Sequence, residues 1–402
     1  MTKKTLKDCP RETLTDQVVV VRVDYNLPLD PNGEVVENTR LVRTLPTIQY
    51  LVEAGAKAVL LSHLGRPGGR PDPALSLRPL AGKLEEVLGS PVDFCAATTG
   101  PLARDAVQRM ERGDVLLLEN TRFCPEDRGN DAAWAEEISF GSKLFINDAF
   151  GTAHRTHAST KGIADAVRAG GGEAVAGFLL EKELRFLCDA IADPEHPFVA
   201  IIGGAKISSK IDAIEALLHA VDRLLIGGAM ANTFFKARGW FVGDSLVEED
   251  RVDTARSVMD LAGDKLLLPV DVVTAPCLVS GATTRVSACN EVREGERIGD
   301  IGPQSVKSFA DALGKARTVI WSGPMGVFEL EPFQAGTFDV ARAAASTADR
   351  GATVIVGGGD SVAAAVAAGV VDRITHISPG GSASLELLSG KELPGVAALS
   401  DR

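Results

Sequence analysis

Short runs of β-branched and aliphatic residues recur along the chain: VVVVRVD (18–24), KAVLLSH (57–63), DVLLLEN (114–120), KLFIND (143–148), PFVAIIGG (197–204), DRLLIGG (222–228), RTVIWSG (317–323) and ATVIVGG (352–358). None alternates apolar with polar positions, so each reads as a strand covered on both faces, as in a parallel sheet flanked by helices. Between them, TRLVRTLPTIQYLVEAG, SSKIDAIEALLHAV and DSVAAAVAAG read as helices. The pattern predicts an α/β protein with doubly wound, Rossmann-like parallel sheets. RAGGG at 168–172 is a flexible spot, and the helix-forming GFLLEKELRFLCDAIADPEHP follows it. This divides the chain into an N-terminal domain over 1–172, a connector helix over 173–192 and a C-terminal domain over 193–390, with a cleft expected between the domains. Open parallel sheets bind ligands beyond the carboxyl ends of their strands, so the chemistry is expected there.

In the first half each strand runs out into a polar or basic cluster: Arg22, Asp24 and Asn26, then His63 and Arg66 in SHLGRP, Arg122 in ENTRF, and His154, Arg155 and His157 in GTAHRTH. Arg40 and Arg43 open the first helix. One such residue alone is more simply a surface charge; recurrence at successive strand ends points instead to a receptor for a small polyanion, because guanidinium forks grip phosphate and carboxylate oxygens bidentately. Asp24 and Asn26 suit a hydroxyl. In the second half the strand ends carry glycine clusters: GGAKISSK (203–210), GGAMANTFFKARG (227–239), SGPMGVFE (322–329), GGGDS (357–361) and PGGSAS (379–384). A single pair of glycines is a tight turn. Five clusters, with Lys206, Lys210 and Asp360 beside them, indicate nucleotide phosphates held against backbone N–H groups at helix starts.

Charge narrows the reading. The 402-residue chain, 45% apolar, has 42 Lys+Arg against 54 Asp+Glu, net −12. Residues 1–172 hold 21 basic and 23 acidic side chains, and 173–402 hold 21 and 31, so the excess acid lies in the second half. A general affinity for nucleic acid or anionic membrane is therefore not expected. The six cysteines show no CxxC pair or metal-ligand spacing and read as reduced thiols. With no apolar signal core in MTKKTLKDCPRETL and no apolar run of about 18 residues, the expected location is cytoplasmic.

An anion receptor on one domain and a nucleotide site on the other is the layout of a phosphotransferase. No residue stands out as a general base for an alcohol acceptor, which favours a carboxylate acceptor, already ionised at neutral pH. The motifs RVDYNLP, SHLGRP, AFGTAHRTHAS, GGAKISSK, GGAMANTFFKARG, GPMGVFE and GGGDS occur in the order found in the phosphoglycerate kinase family, which the chain resembles over essentially its whole length. That resemblance implies reversible phosphoryl transfer from 1,3-bisphosphoglycerate to ADP, giving 3-phosphoglycerate and ATP, with Mg²⁺ on the nucleotide, in a cytosolic monomer that closes about a hinge. It implies that Asp24, Asn26, Arg40, His63, Leu64, Gly65, Arg66, Arg122 and Arg155 bind the glycerate substrate. Lys206, Lys210, Gly227, Gly228, Glu329, Gly358, Gly359, Asp360, Ser361, Gly380 and Gly381 fall to the nucleotide, with Asp360 on the metal. Arg40 and Lys206 fall to the transition state, and the last residues, about 391–402, return to the N-terminal domain.

The chain departs from the family pattern at three places. Ser322 replaces an asparagine and shortens the reach toward a nucleotide phosphate; Thr121 replaces a leucine at a packing position; Pro379-Gly380-Gly381-Ser382-Ala383 replaces TGGGA. Gly380, Gly381 and Ser382 keep their N–H donors, and Ser382 offers a hydroxyl cap, so near-normal activity is expected. A nicotinamide-dependent dehydrogenase would show a GxGxxG fingerprint, and a P-loop enzyme GxxxxGK[ST]; neither is present. A non-catalytic anion-binding protein leaves the glycine clusters and Lys206 without a role.

Overall fold

The computed structural model of the chain describes residues 3–30, 33, 35, 36, 38–378 and 380–402, and the side chains of all of these but 189–192. Two compact units result, Met1–Arg185 with Glu392–Arg402, and Phe186–Lys391.

The first unit is built on six strands: β1 (Val18–Arg22), β2 (Lys57–Leu61), β3 (Asp93–Cys95), β4 (Val115–Leu118), β5 (Leu144–Asn147) and β6 (Glu173–Ala176), in the order β3-β4-β2-β1-β5-β6, all parallel. Val19, Val20 and Val21 are all fully buried, so both faces of the central strand are covered, as its unbroken apolar run requires. Strand order advances one way from β1 to β2 and β4, then resumes on the other side of β1 with β5. That reversal is a topological switch point, where a ligand crevice is expected.

Residues 173–176 correct one expectation. They belong to no connector helix; they pair with β5 as the edge strand β6, and the helix starts later, at Phe178–Ala192. The β6 sequence, EAVA, has a charged start and two alanines, so no apolar run stands out. The last residues lie on this unit. The Gly395 N–H donates to the Ala153 carbonyl at 2.8 Å, Asn147 Nδ2 donates to the Gly395 carbonyl at 3.0 Å, and the Ser400 N–H donates to the Ala174 carbonyl at 2.7 Å.

The second unit repeats the plan with β7 (Phe198–Ile202), β8 (Arg223–Ile226), β9 (Leu266–Leu267), β13 (Thr318–Ser322), β14 (Thr353–Gly357) and β15 (His376–Ser378), in the parallel order β15-β14-β13-β7-β8-β9. Its switch point falls between β7 and β13. A separate antiparallel sheet, β11-β10-β12 (Arg285–Ala288, Asp271–Ala275, Arg297–Ile301), has no counterpart in the predicted elements. Polar residues interrupt each of its strands, Asp271 and Thr274 in β10, Arg285 and Ser287 in β11, Arg297 and Asp300 in β12, so no unbroken apolar run announces them.

Asp148, just beyond β5, is fully buried, and its Oδ1 accepts the Leu179 and Leu180 N–H groups at 2.9 and 3.1 Å, capping the helix Phe178–Ala192. Burial pushes its pKa up to about 6, outweighing the hydrogen bonds it receives. A carboxyl whose folded pKa is raised binds its proton more tightly in the native state. Its contribution is therefore full below about pH 4 and is lost as pH rises through about 6. Asp148→Asn keeps the capping oxygen and removes the charge. Thermal unfolding should show the variant gaining about 3 kcal/mol on the natural chain at pH 8 and little at pH 4; a pH-independent difference would remove Asp148 from this account.

Candidate functional site

The parallel strands bring the basic cluster to one edge of the first sheet, since Asp24, His63 and Arg122 follow the carboxyl ends of β1, β2 and β4, and Arg155 and His157 follow β5. Arg66, Arg122, Arg128, Arg155 and His157 line a cavity of about 460 Å³. Arg22, 1% exposed, is held entirely by protein acceptors. Its Nε donates to Ser159 Oγ at 3.3 Å, one terminal nitrogen to the Val23 carbonyl, and the other to His63 Nδ1 at 3.0 Å.

Because a guanidinium only donates, His63 Nδ1 is the acceptor and Nε2 carries the proton. Burial, reinforced by Arg22, Arg122, Arg155 and Arg40, holds the His63 pKa well below the usual histidine range, so the ring is neutral. Arg40, in the first turn of the helix Thr39–Glu53, donates to Asp24 Oδ2 at 2.6 Å. Asn26 Oδ1 accepts the Gly65 N–H at 2.8 Å, and Arg122 donates to the Gly65 carbonyl at 2.5 Å, so Gly65 is gripped from both sides. Its φ of +61° and a Cβ position 2.6 Å from the Leu75 side chain favour glycine. Desolvation, with Arg155 and Arg22 nearby, brings the Arg122 pKa down to about 10, still cationic at neutral pH.

Asn120 organises this edge. Fully buried, it accepts from the Leu64 and Arg122 N–H groups at 3.2 and 3.1 Å and donates to the Leu64 and Leu75 carbonyls at 2.8 and 2.9 Å. Neither Asn120 nor Arg128 on the cavity wall is expected from the sequence, since a lone asparagine and an arginine in a five-residue helix carry no pattern. Thr121 is buried as a packing position should be, but its hydroxyl has no hydrogen-bond partner.

In the second unit a cavity of about 520 Å³ opens at the switch point, lined by Gly204, Gly228, Met325, Asp300, Glu329 and Asp360 among largely apolar neighbours. The glycines divide into two kinds. A Cβ on Gly227 would stand 2.4 Å from Met325 Sδ, and one on Gly228, at φ +69°, 2.5 Å from the Gly204 nitrogen; both are needed for close packing of β7, β8 and β13. Gly359, in contrast, opens the helix Gly359–Ala367 with nothing within 4 Å of its Cβ position, leaving room at a helix N-terminus for an anion. Gly358 before it sits at φ +100°. Ser361 Oγ accepts the Gly323 N–H at 2.5 Å.

Lys206 is exposed, whereas Lys210 is largely buried, its Nζ donating to the Gly203 and Ser322 carbonyls at 2.8 and 2.9 Å. Desolvation lowers the Lys210 pKa to about 8, against the pull of Asp360. Ser322 Oγ lies 3.4 Å from the same Nζ, so the shorter side chain faces Lys210. The Gly380 N–H donates to Ser378 Oγ at 3.3 Å, and Gly381, at φ +53°, precedes the helix Ser382–Leu388. Glycine is thus required at 381; Ser382 is the first helical residue and supplies no hydroxyl cap. Pro379 lies outside the described residues. Among the described residues no group of three or more His, Cys, Asp or Glu side chains is arranged to hold a metal. The single exposed carboxylate of Asp360 suits an ion that arrives on nucleotide phosphates.

Two doubly wound units, one with an arginine-lined cavity and one with a glycine-walled pocket at its switch point, define a phosphotransferase of the two-domain α/β class. Comparison with known proteins is specific. Residues 7–391 match the family model for phosphoglycerate kinase. The phosphoglycerate kinase of Chloroflexus aurantiacus is 52% identical over 406 residues, covering 100% of both chains, and that of Rubrobacter xylanophilus is 51% identical, covering 100% of this chain and 99% of its own. The solved structure of phosphoglycerate kinase from Coxiella burnetii superimposes with a TM-score of 0.85 at 37% identity, covering 98% of each chain. The chain belongs to the phosphoglycerate kinase family.

The two kinds of glycine separate in the test tube. Gly228→Ala should cost about 3 kcal/mol or more of stability from strain and overlap with backbone. Gly359→Ala should leave the melting temperature unchanged yet weaken ADP binding at least tenfold by titration calorimetry. Equal losses of stability in both would remove the distinction.

Proposed function

We propose that the chain transfers a phosphoryl group reversibly between 1,3-bisphosphoglycerate and ADP, yielding 3-phosphoglycerate and ATP, as the names of its relatives indicate. The observation that carries the residue assignments is the segregation of charge: cationic forks at the strand ends of the first sheet, backbone donors and apolar walls at those of the second. In this reading the first domain, 1–172 with about 391–402, binds the glycerate, and 193–390 binds the nucleotide. The helix Phe178–Ala192 forms part of a hinge.

Arg66, Arg122 and Arg155 take the substrate phosphate and carboxylate, while neutral His63 offers its Nε2–H. Asn26, Leu64 and Gly65 shape the wall, and Asp24 takes a hydroxyl while holding Arg40 in place. On the other side Gly358, Gly359 and Ser361 meet the phosphates, Gly227 and Gly228 shape the pocket, Glu329 takes the ribose, and Gly380 and Gly381 approach the transferring end. Lys210 keeps its donors on the Gly203 and Ser322 carbonyls and the Ser322 hydroxyl, and lends its charge to the phosphates. Asp360 would hold Mg²⁺ accompanying the nucleotide, which when bound neutralises charge on the phosphate oxygens.

Transfer itself needs little acid or base work. The acceptor carboxylate is already ionised, and the phosphoryl group in flight spreads charge over three equatorial oxygens, which calls for fixed cations. Arg40 and Lys206 provide one from each domain, so transfer awaits domain closure, which also excludes water. The working form is a cytoplasmic monomer.

A coupled assay of ATP formation from 1,3-bisphosphoglycerate and MgADP tests the reading, and no turnover would end it. Arg40→Ala and Lys206→Ala should each lower kcat by about 10²–10³ with smaller effects on substrate binding; less than tenfold in either case would remove that residue from the transition state. Asp360→Asn should raise the Mg²⁺ concentration needed for half-maximal rate, a shift that an uninvolved carboxylate would not produce.

A further inference from the structure

Asp127 has no part in the transfer mechanism, yet it is fully buried beside the arginine-lined cavity. It sits in the short helix Pro125–Gly129, between Arg122 and Arg128, two residues of the cavity wall. Oδ1 accepts the Ser159 N–H at 2.9 Å, in the turn Ala158–Gly162 that follows Arg155 and His157. Ser159 Oγ in turn accepts from Arg22. Oδ2 accepts no hydrogen bond and stands 4.0 Å from His157 Nδ1. Its charge favours the protonated forms of Arg22, Arg122 and His157, although burial dominates at each of them.

Arg22 is joined to Asp127 through Ser159, and among the charges acting on Arg22 that of Asp127 favours the cation most. Its guanidinium is engaged with Ser159, Val23 and His63, so it contributes charge to the cavity without contributing a donor to a ligand. We infer that Asp127 sets the anion affinity of the cavity by cancelling the charge of buried Arg22, so that the arginines on the wall hold a phosphorylated carboxylate firmly but release it. The inference rests on the substrate assignment above. Without Asp127, Arg22, Arg66, Arg122, Arg128 and Arg155 would confront a ligand carrying about three negative charges. Asp24 also acts on Arg22 and Arg122, more weakly than Asp127, and its own ion pair is with Arg40. One added positive charge several ångströms from such a ligand, at an effective dielectric near 20, tightens binding by roughly tenfold after salt screening.

Asp127→Asn isolates the charge, since the amide oxygen still accepts from Ser159. Titration calorimetry of 3-phosphoglycerate onto the full-length natural chain and the variant, at fixed ionic strength and with kcat measured alongside, should show about tenfold tighter binding in the variant with a lower kcat in the direction that releases 3-phosphoglycerate. A purely structural role would weaken binding instead, and weaker or unchanged binding overturns the inference. Arg22→Met combined with Asp127→Asn removes both charges and leaves no stranded guanidinium. It should bind within about threefold of the natural chain, and this arm decides the matter even if the single variant does not fold; a tenfold change in either direction overturns the inference. Failure of the natural chain itself to bind 3-phosphoglycerate would instead refute the substrate reading, and the inference with it.

Discussion

A buried guanidinium must be given acceptors by the fold, and around Arg22 that requirement arranges much of the first unit. The end of β1 carries the charge. The neighbouring backbone of β1, His63 after β2 and Ser159 beyond β5 supply the acceptors, so three consecutive neighbours in the sheet are tied at their carboxyl ends through one side chain. The same demand fixes the His63 tautomer and, through Asp127, the turn after Arg155. A lysine there would offer a point charge without the planar fork that reaches several acceptors at once.

The second unit meets a different constraint. The loops after β7, β8 and β13 pack until no Cβ fits at Gly203, Gly227, Gly228 or Gly323. Lys210 is the cation of this packing, joining the Gly203 and Ser322 carbonyls at the switch point. One cavity is thus lined by cationic side chains, the other by closely packed backbone. This difference follows the composition, with the excess acid in the half that lacks the arginine cluster.

Asp148 and Asp300 show the cost of ordering such sites. Both carboxyls are buried with their pKa values pushed up, to about 6 and about 7, and both accept backbone N–H groups where a helix begins, Asp148 from Leu179 and Leu180, Asp300 from Gly336. Asp300 also lines the pocket beside Glu329 and Asp360. In each case the helix start is fixed more firmly than a surface cap would fix it, at the expense of desolvating a charge.

The local pattern of the sequence settled the eight strands built on apolar runs, the parallel α/β class and the clustering of Asp24, His63, Arg122 and Arg155 at strand ends, because such runs and the residues just past them are properties of neighbouring positions. It could not reveal β3, β6, β9, β15 or the antiparallel sheet, whose strands are too short or too polar to carry a period. Nor could it distinguish Gly227, which avoids Met325, from Gly359, which faces open space, or expose Asn120, Arg128 and Asp127. Those distinctions are made by atoms far apart in the chain and adjacent in space. Close packing decides whether a glycine is steric or functional, and burial decides whether a carboxylate is a solvated charge or the counterweight of a binding site.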